Sequence, residues 1–401
     1  MWLDMARPVF LSYTWHELDL EEVDRLDTAL RLRGVPIWRD RRQMSFGSYN
    51  ESRVRQAISE LCAGFALYYT DAVLSSNFIL KIELAEMDAR RRRGAPPSFF
   101  AGAIFRDLPD IQRAAEELRK ASGVSLGESL GAPVSTEDFD ADLRAAANAI
   151  LRAYLAAEPV SDELTMRVET RGPLPYTDPA ILQLCWCPPL YHDPDRHSPD
   201  IWTTDLLPAL DDLHHVLEET GAPRRLRIGG NLHLSAALAI GWQFRQPTGY
   251  LLTLDHNAVP CQTELVEPNA HGWRIVTQPG PANGDERLVV CLHASKDVTQ
   301  AMDAHTRQLP PARATLHVYP PDGTPGQQSV TASEANELAA AVAAEIERCR
   351  SAHRTRQTHL YLACPWPLAT LLGWHLSSSG RLVMHEPDVE RGDYRAACEL
   401  A

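Results

Sequence analysis

Residues 74–87 read L-S-S-N-F-I-L-K-I-E-L-A-E-M, an apolar-rich run with two acids where a helix should be dry. Wound as an α-helix at about 100° per residue, Lys81 and Asp88 fall together and mark the wet face. Phe78, Ile79, Ile82 and Met87 fill the opposite side. Glu83 and Glu86 fall inside that apolar arc. A carboxylate aimed into apolar surroundings needs a cation, hydrogen bonds or a proton. This helix is therefore one half of an ion pair with a nearby arginine, or it lines a pocket.

Short β-rich runs surround it: Pro8–Tyr13, Val35–Trp38, Gly64–Tyr69 and Ser98–Phe105. Between and after them, helical spacing is read over Leu18–Arg33, Asn50–Leu61, Pro109–Ala121 and Glu137–Leu155. Strands alternating with helices predict a parallel sheet covered on both faces, with ligands outside the carboxyl ends of the strands. The arginine run at 90–93 closes the Glu83 helix and suits the negative end of its dipole.

V-F-L-S-Y at 9–13, G-V-P-I-W-R-D at 34–40, Phe46-Gly47, and Y-Y-T-D-A-V-L-S-S-N-F-I-L-K-I-E-L at 68–84 together resemble a Toll/interleukin-receptor (TIR) domain over residues 6–157. The resemblance implies a flavodoxin-like fold and, in its enzymatic branch, cleavage of NAD+ between nicotinamide and ribose. Glu83 matches the family's catalytic glutamate. It follows Phe78 by five residues where the family has four, which leaves Glu86 open as an alternative. The Glu-Leu pair and the offset from the third strand favour Glu83. Ser12, Tyr13, Trp38, Asp40, Arg41, Phe46 and Ser76 are the implied NAD+-binding residues. The plain alternatives are core aromatics at Tyr13 and Trp38 and a helix cap at Ser76.

The chain has 401 residues, enough for two or three cores. Its net charge of −14 disfavours long nucleic acids. Eight scattered cysteines without C-x-x-C fit a reducing cytoplasm better than disulfides or zinc. The longest apolar run, 360–374, is broken by Pro365 and Pro367 and predicts no membrane span. The loop His192–His197 has metal-like letters without metal-like spacing, so no metal site is expected.

Pro159, Gly172, Pro173, Pro175 and Pro179 mark residues 158–179 as a linker. Beyond it the sequence repeats. R-L-R-I at 225, A-A-L-A-I-G-W at 236–242 and G-Y-L-L at 249 are echoed by H-L-Y-L at 359, L-A-T-L-L-G-W at 368–374 and G-R-L-V at 380. Upstream, 181–186 and 288–293 read as matching strands, and 205–219 and 334–350 as matching helices. Each half, about 180–285 and 286–401, is thus expected as strand-helix-strand-helix-strand. Gly241 and Gly373 are expected to let a helix lie close on its sheet.

The tail, L-Y-L-A-C-P-W-P-L-A-T-L-L-G-W followed by G-R-L-V-M-H-E, resembles the SAVED domain over residues 165–401. That family fuses two CARF-like Rossmannoid halves and senses cyclic oligonucleotides. Loops after the strands nominate Trp186, Asn231, His233, Lys296, Pro365 and Trp366 as ligand contacts. Trp186 as a core residue and Lys296 as a surface lysine are the plain alternatives. A TIR domain followed by a SAVED domain resembles an effector of bacterial anti-phage CBASS systems. The resemblance implies an NAD+ hydrolase without a cofactor, switched on by a cyclic oligonucleotide such as cyclic tri-adenylate. It also implies self-association into ligand-dependent oligomers or filaments. The rival expectation is a non-catalytic TIR scaffold gated by the same ligand.

Overall fold

The apolar runs of the first third pair into one sheet in this computed structural model. It describes the chain from residue 6 onward except 40–50, 95–97, 107–110, 127–129, 131–133, 136, 160, 173–179, 188–198, 257–259, 327–330, 377–379 and 389–391. Strands β1 (Val9–Ser12), β2 (Ile37–Trp38), β3 (Gly64–Tyr69) and β4 (Phe100–Phe105) form it in the order β2-β1-β3-β4, all parallel. β1 and β3 are buried along their whole length. That is why they read as unbroken apolar runs rather than alternating ones. The helices of this part are α1 (Glu17–Leu32), α2 (Glu51–Gln56, continued by a π turn), α3 (Leu84–Arg93), α4 (Ile111–Ser122) and α5 (Phe139–Ala157).

α3 is entered through a π turn at Ile79–Glu83, in which the Leu84 N–H bonds the Ile79 carbonyl five residues back. A π turn holds one residue more than an α turn. Residues five apart therefore share a side, and the simple helical wheel slips by one position. Asp88, expected on the wet face, is buried and paired to Arg91 and Arg92. Gly94 ends the helix at φ 58°, the left-handed cap that glycine adopts without strain.

Contacts divide the chain into two units. One holds Met1–Arg167, Leu174–Cys185 and Asp212–Pro223; the other holds Val168–Pro173, Trp186–Asp211 and Arg224–Ala401. The expected single linker at 158–179 is replaced by a chain that passes between units several times. Strand β5 (Leu164–Glu169) stands inside that expected linker. Its proline- and glycine-rich flank had masked a short strand buried at Leu164, Met166 and Val168.

β5 also corrects the repeat. With β6 (Leu182–Cys185), β7 (Arg225–Asn231), β8 (Leu251–Asp255) and β9 (Cys261–Gln262) it forms a sheet of order β6-β5-β7-β8-β9. The second sheet adds β10 (Arg274–Pro279), β11 (Asp285–His293), β12 (Ala312–Tyr319), β13 (Gln357–Ala363), β14 (Arg381–Asp388) and β15 (Asp393–Leu400). Its order is β10-β12-β11-β13-β14-β15. The order repeats if β5 answers β11 and β6 answers β12. Residues 181–186 therefore match β12, not 288–293. The second half also has helix α8 (Thr299–Thr306) before β12, and antiparallel pairs at both edges. The other helices of eight residues or more are α6 (Leu207–Glu219), α7 (Leu234–Gln243), α9 (Ala332–His353) and α10 (Trp366–His375).

The two Gly-Trp pairs serve a helix crossing rather than helix-on-sheet packing. A Cβ on Gly241 would lie 2.0 Å from the Thr370 carbonyl oxygen, and one on Gly373 would lie 2.4 Å from that of Leu238. Each glycine of α7 or α10 thus faces the carbonyl three residues before its counterpart. The repeat closes on itself as a local two-fold, and only residues without a side chain let the backbones approach so closely.

Candidate functional sites at Glu83 and at the α7 and α10 N-termini

Glu83 lies at the carboxyl end of the first sheet. Ser12, the last residue of β1, donates its hydroxyl to Glu83 Oε2 at 2.5 Å. Both side chains are buried, Glu83 at 6% exposure. Glu86 stands elsewhere, half-buried between Arg55 at 3.3 Å and Arg93 at 3.6 Å. The π turn accounts for the five-residue spacing from Phe78, because five residues there span what four span in an α-helix.

The other nominated residues divide. Tyr13 is buried beneath the Arg39 guanidinium, whose carbon lies 4.8 Å from the ring centre. Arg39 is itself buried and bonds Asp24 at 2.6 Å and Asp27 at 3.1 Å. Burial alone would lower its pKa, but Tyr13, Asp27 and Asp24 together raise it above the usual range. Sequence reading passed over Arg39, although its place directly after a strand was a signal. Trp38 is a core residue, 4% exposed and stacked on Phe10 at 4.7 Å and 17°, which leaves little ring face for a ligand. Ser76 Oγ accepts the Ile79 N–H at 3.3 Å and caps the helix. Asp40, Arg41 and Phe46 lie outside the described residues.

The second site is a cavity of about 390 Å³ in the other unit. Asn231, His233, Lys296, Pro365 and Trp366 all line it. They arrive by symmetry, since Asn231–Leu234 leads into α7 as Ala363–Trp366 leads into α10. Two helix N-termini therefore border one hollow; each favours negative charge, and Glu386 supplies it at α7. Cations stand on the loops after the first strand of each half, Lys296 after β11 and Arg171 after β5. Arg171 was missed because it falls in the expected linker.

The walls of this cavity are set by buried polar contacts. Thr170 Oγ1 accepts the His233 N–H at 2.7 Å. Glu386 from β14 takes the Ser235 hydroxyl and, at 3.2 Å, the Ser235 N–H, so a buried carboxylate caps α7. Gly230 is at φ 138°, and a Cβ there would lie 1.8 Å from the Val168 carbonyl oxygen. Trp366 is only 6% exposed and meets His256 edge-on at 5.8 Å. Trp186 does not reach the cavity. It is fully buried and packs edge-on against Trp202 at 6.0 Å.

Residues 209–400 match the family model described as the SMODS-associated and fused to various effectors sensor domain. This part of the chain is a SAVED domain. It holds most of the lining of the cavity, with Arg171 contributed from before its start. Among solved structures, the chain is similar to the Acinetobacter baumannii Cap4 SAVED/CARF-domain containing receptor with the cyclic trinucleotide 3'3'3'-cAAA. That likeness is 14% identity at a TM-score of 0.47, over 87% of this chain and 84% of that one. The corresponding Moraxella osloensis receptor is similar at 13% identity and TM-score 0.42, over 99% of this chain and 87% of that one. No curated protein matches the chain. Among the described residues, no helix is long and apolar enough to cross a membrane.

Proposed function

We propose that the chain is an NAD+ hydrolase whose N-terminal TIR domain is switched on when a cyclic oligonucleotide, such as cyclic tri-adenylate, enters the SAVED cavity. The observation that carries the enzymatic half is the buried Glu83 carboxylate held by Ser12 at the carboxyl end of β1. The strand order β2-β1-β3-β4 supports a flavodoxin-like sheet, whose ligands bind at that end. Glu83, not Glu86, is the acid in this position.

The chemistry asks little of the protein. Nicotinamide in NAD+ is already cationic and departs as a neutral base. The ribose C1′ is left with oxocarbenium character, as in other glycosidic cleavages. A carboxylate in a low-dielectric site stabilises that charge more strongly than one in water. Water then completes hydrolysis at C1′, with the proton released to solvent. The sensor half rests on the paired cations and the α10 N-terminus around one cavity, the α7 N-terminus being taken by Glu386. They suit a ring of phosphodiesters, and Asn231 and His233 suit base or ribose edges. Ligand-driven self-association, with one copy completing its neighbour's site, is part of the proposal.

The deciding experiment measures NAD+ loss by the full chain with cyclic tri-adenylate and other cyclic oligonucleotides. Activation by one of them, rising steeply with protein concentration, is expected. Glu83→Gln should reduce NAD+ loss by about 10²–10³-fold while leaving ligand binding intact. Undiminished NAD+ loss in that variant removes Glu83 from the reaction. Ligand binding without NAD+ loss at any concentration makes the chain a scaffold instead.

A further inference from the structure

We infer that Cys291, His293 and His317 form a site for one divalent transition-metal ion of the Zn²⁺ class. Cys291 and His293 lie two residues apart on β11, so their side chains share a face of the sheet. His317 on β12 is the register partner of Cys291. All three are buried, and their donor atoms lie within 4.8 Å of one another. His293 Nε2 and His317 Nδ1 face each other at 3.1 Å. Two imidazole nitrogens on a tetrahedral zinc stand about 3.3 Å apart, so this pair already has ligand spacing. A thiolate and an imidazole stand about 3.5 Å apart on the same ion, so with all donors within 4.8 Å Cys291 needs to close by at most about 1.3 Å on binding.

Two further observations point to a ligand. The Asp297 carboxylate lies 3.0 Å from His293 Nδ1 and is itself fixed by the Thr299 N–H at 2.9 Å and hydroxyl at 2.6 Å. A carboxylate on the far nitrogen orients a metal-bound histidine and keeps the proton on that side. The Val298 N–H also approaches His293 Nδ1, at 3.2 Å, and competes for it when no metal holds Nε2. The second observation is access. His317 and Asp303 both line a cavity of about 290 Å³ beside α8, which leaves room for Asp303 or a water as fourth ligand.

Protonation fits the same picture. Burial pulls His293 down to about 4 and lowers His317, so both rings are neutral at pH 7, and the proton shared between His293 Nε2 and His317 Nδ1 moves to a far ring nitrogen or to solvent when a metal binds. Burial raises the Cys291 thiol, so binding must expel its proton to solvent as the thiolate forms on the metal. Asp297 and Asp303 are acids that favour a bound cation. Tyr319, Tyr361 and Tyr394 face the same cluster as neutral phenols, and the Arg287 guanidinium shares the cavity with His317 and opposes a bound cation.

The test uses the full chain, stripped with a chelator, loaded with Zn²⁺ or Co²⁺ and freed of unbound metal by gel filtration. About one Zn²⁺ per chain is expected, and Co²⁺ should give a thiolate-to-metal band with the visible intensity of a tetrahedral site. Cys291→Ser should abolish the thiolate band, and His317→Gln should reduce retained metal at least tenfold. Cys398→Ser, another buried cysteine, should change neither. Retention of almost no metal by the wild type, or wild-type retention in both the Cys291 and His317 variants, overturns the inference. Should Cys291→Ser fail to fold, the wild-type Co²⁺ spectrum decides, since the absence of a thiolate band refutes the site.

Discussion

The two segments that meet the SAVED cavity, Asn231–Leu234 and Ala363–Trp366, have the same place in the fold and opposite chemistry. The first brings an amide and an imidazole, and the second brings a proline and a tryptophan. The loops behind them pair Arg171 with Lys296. The backbone of the repeat is kept while its side chains diverge. On the proposed function, matched cations would meet like phosphates of the ring while the unlike side chains read its bases unevenly.

The strongest way to break this comparison is at the helix crossing. Gly241→Val and Gly373→Val each force a side chain into a facing carbonyl. Each should cost about 4 kcal/mol or more, in the range of severe core clashes. Urea unfolding and limited proteolysis would report it. Full stability in either variant would show that the two glycines are not reciprocal.

Acid should separate the halves next. Among the described residues, His293, His317, His359 and His385 are buried in the second half and His233 in the first. Burial holds His293 and His359 at about 4 and His385 at about 2. These folded values lie below the unfolded value near 6.5, so the unfolded chain binds more protons below that pH. Stability is complete above about pH 6.5 and falls with acid, by at most about 1.4 kcal/mol per pH unit per histidine. The urea midpoint should drop between pH 7 and pH 5, and His385→Phe should flatten that slope. A midpoint independent of pH would refute burial of these rings.

A gentler comparison weighs the two cations. Arg171→Ala and Lys296→Ala should each weaken cyclic oligonucleotide binding about tenfold, that is about 1.4 kcal/mol. Both variants should flatten the salt dependence. Calorimetric titration would show whether the pair is matched; a loss confined to one of them would make the ring contact one-sided. The smallest effect belongs to the capping box of α9, where Thr331 and Glu334 bond each other's backbone. Thr331→Ala should lower stability by about 1 kcal/mol without touching the ligand.

Sequence reading located these features unevenly, for physical reasons. β1, β3 and the helices around Glu83 were legible because buried parallel strands leave long apolar runs. The 241–242 and 373–374 echo revealed the duplication, since close helix contact demands glycine there. β5 was hidden because six residues beside a proline-rich stretch look like a boundary. With β5 went Arg171 and the right partner for β11. Helix α8 and β12 were missed because the first half, taken as the template for the second, offered no strand in its repeat to match them. Trp38 and Trp186 were nominated for their rings, and the structure buries both. An aromatic beside a strand end fits a core as well as a ligand. Sequence alone cannot say which way it points.

The π turn before α3 also acts as a counting device. One extra residue between Phe78 and Leu84 swings the following acid back toward the end of β1. Removing any single residue from Ile79–Ile82 would restore ordinary winding and rotate Glu83 about a quarter-turn away from Ser12. An alignment that scores such a deletion as harmless, because every letter around it survives, would miss the loss of the Ser12 bond to this acid.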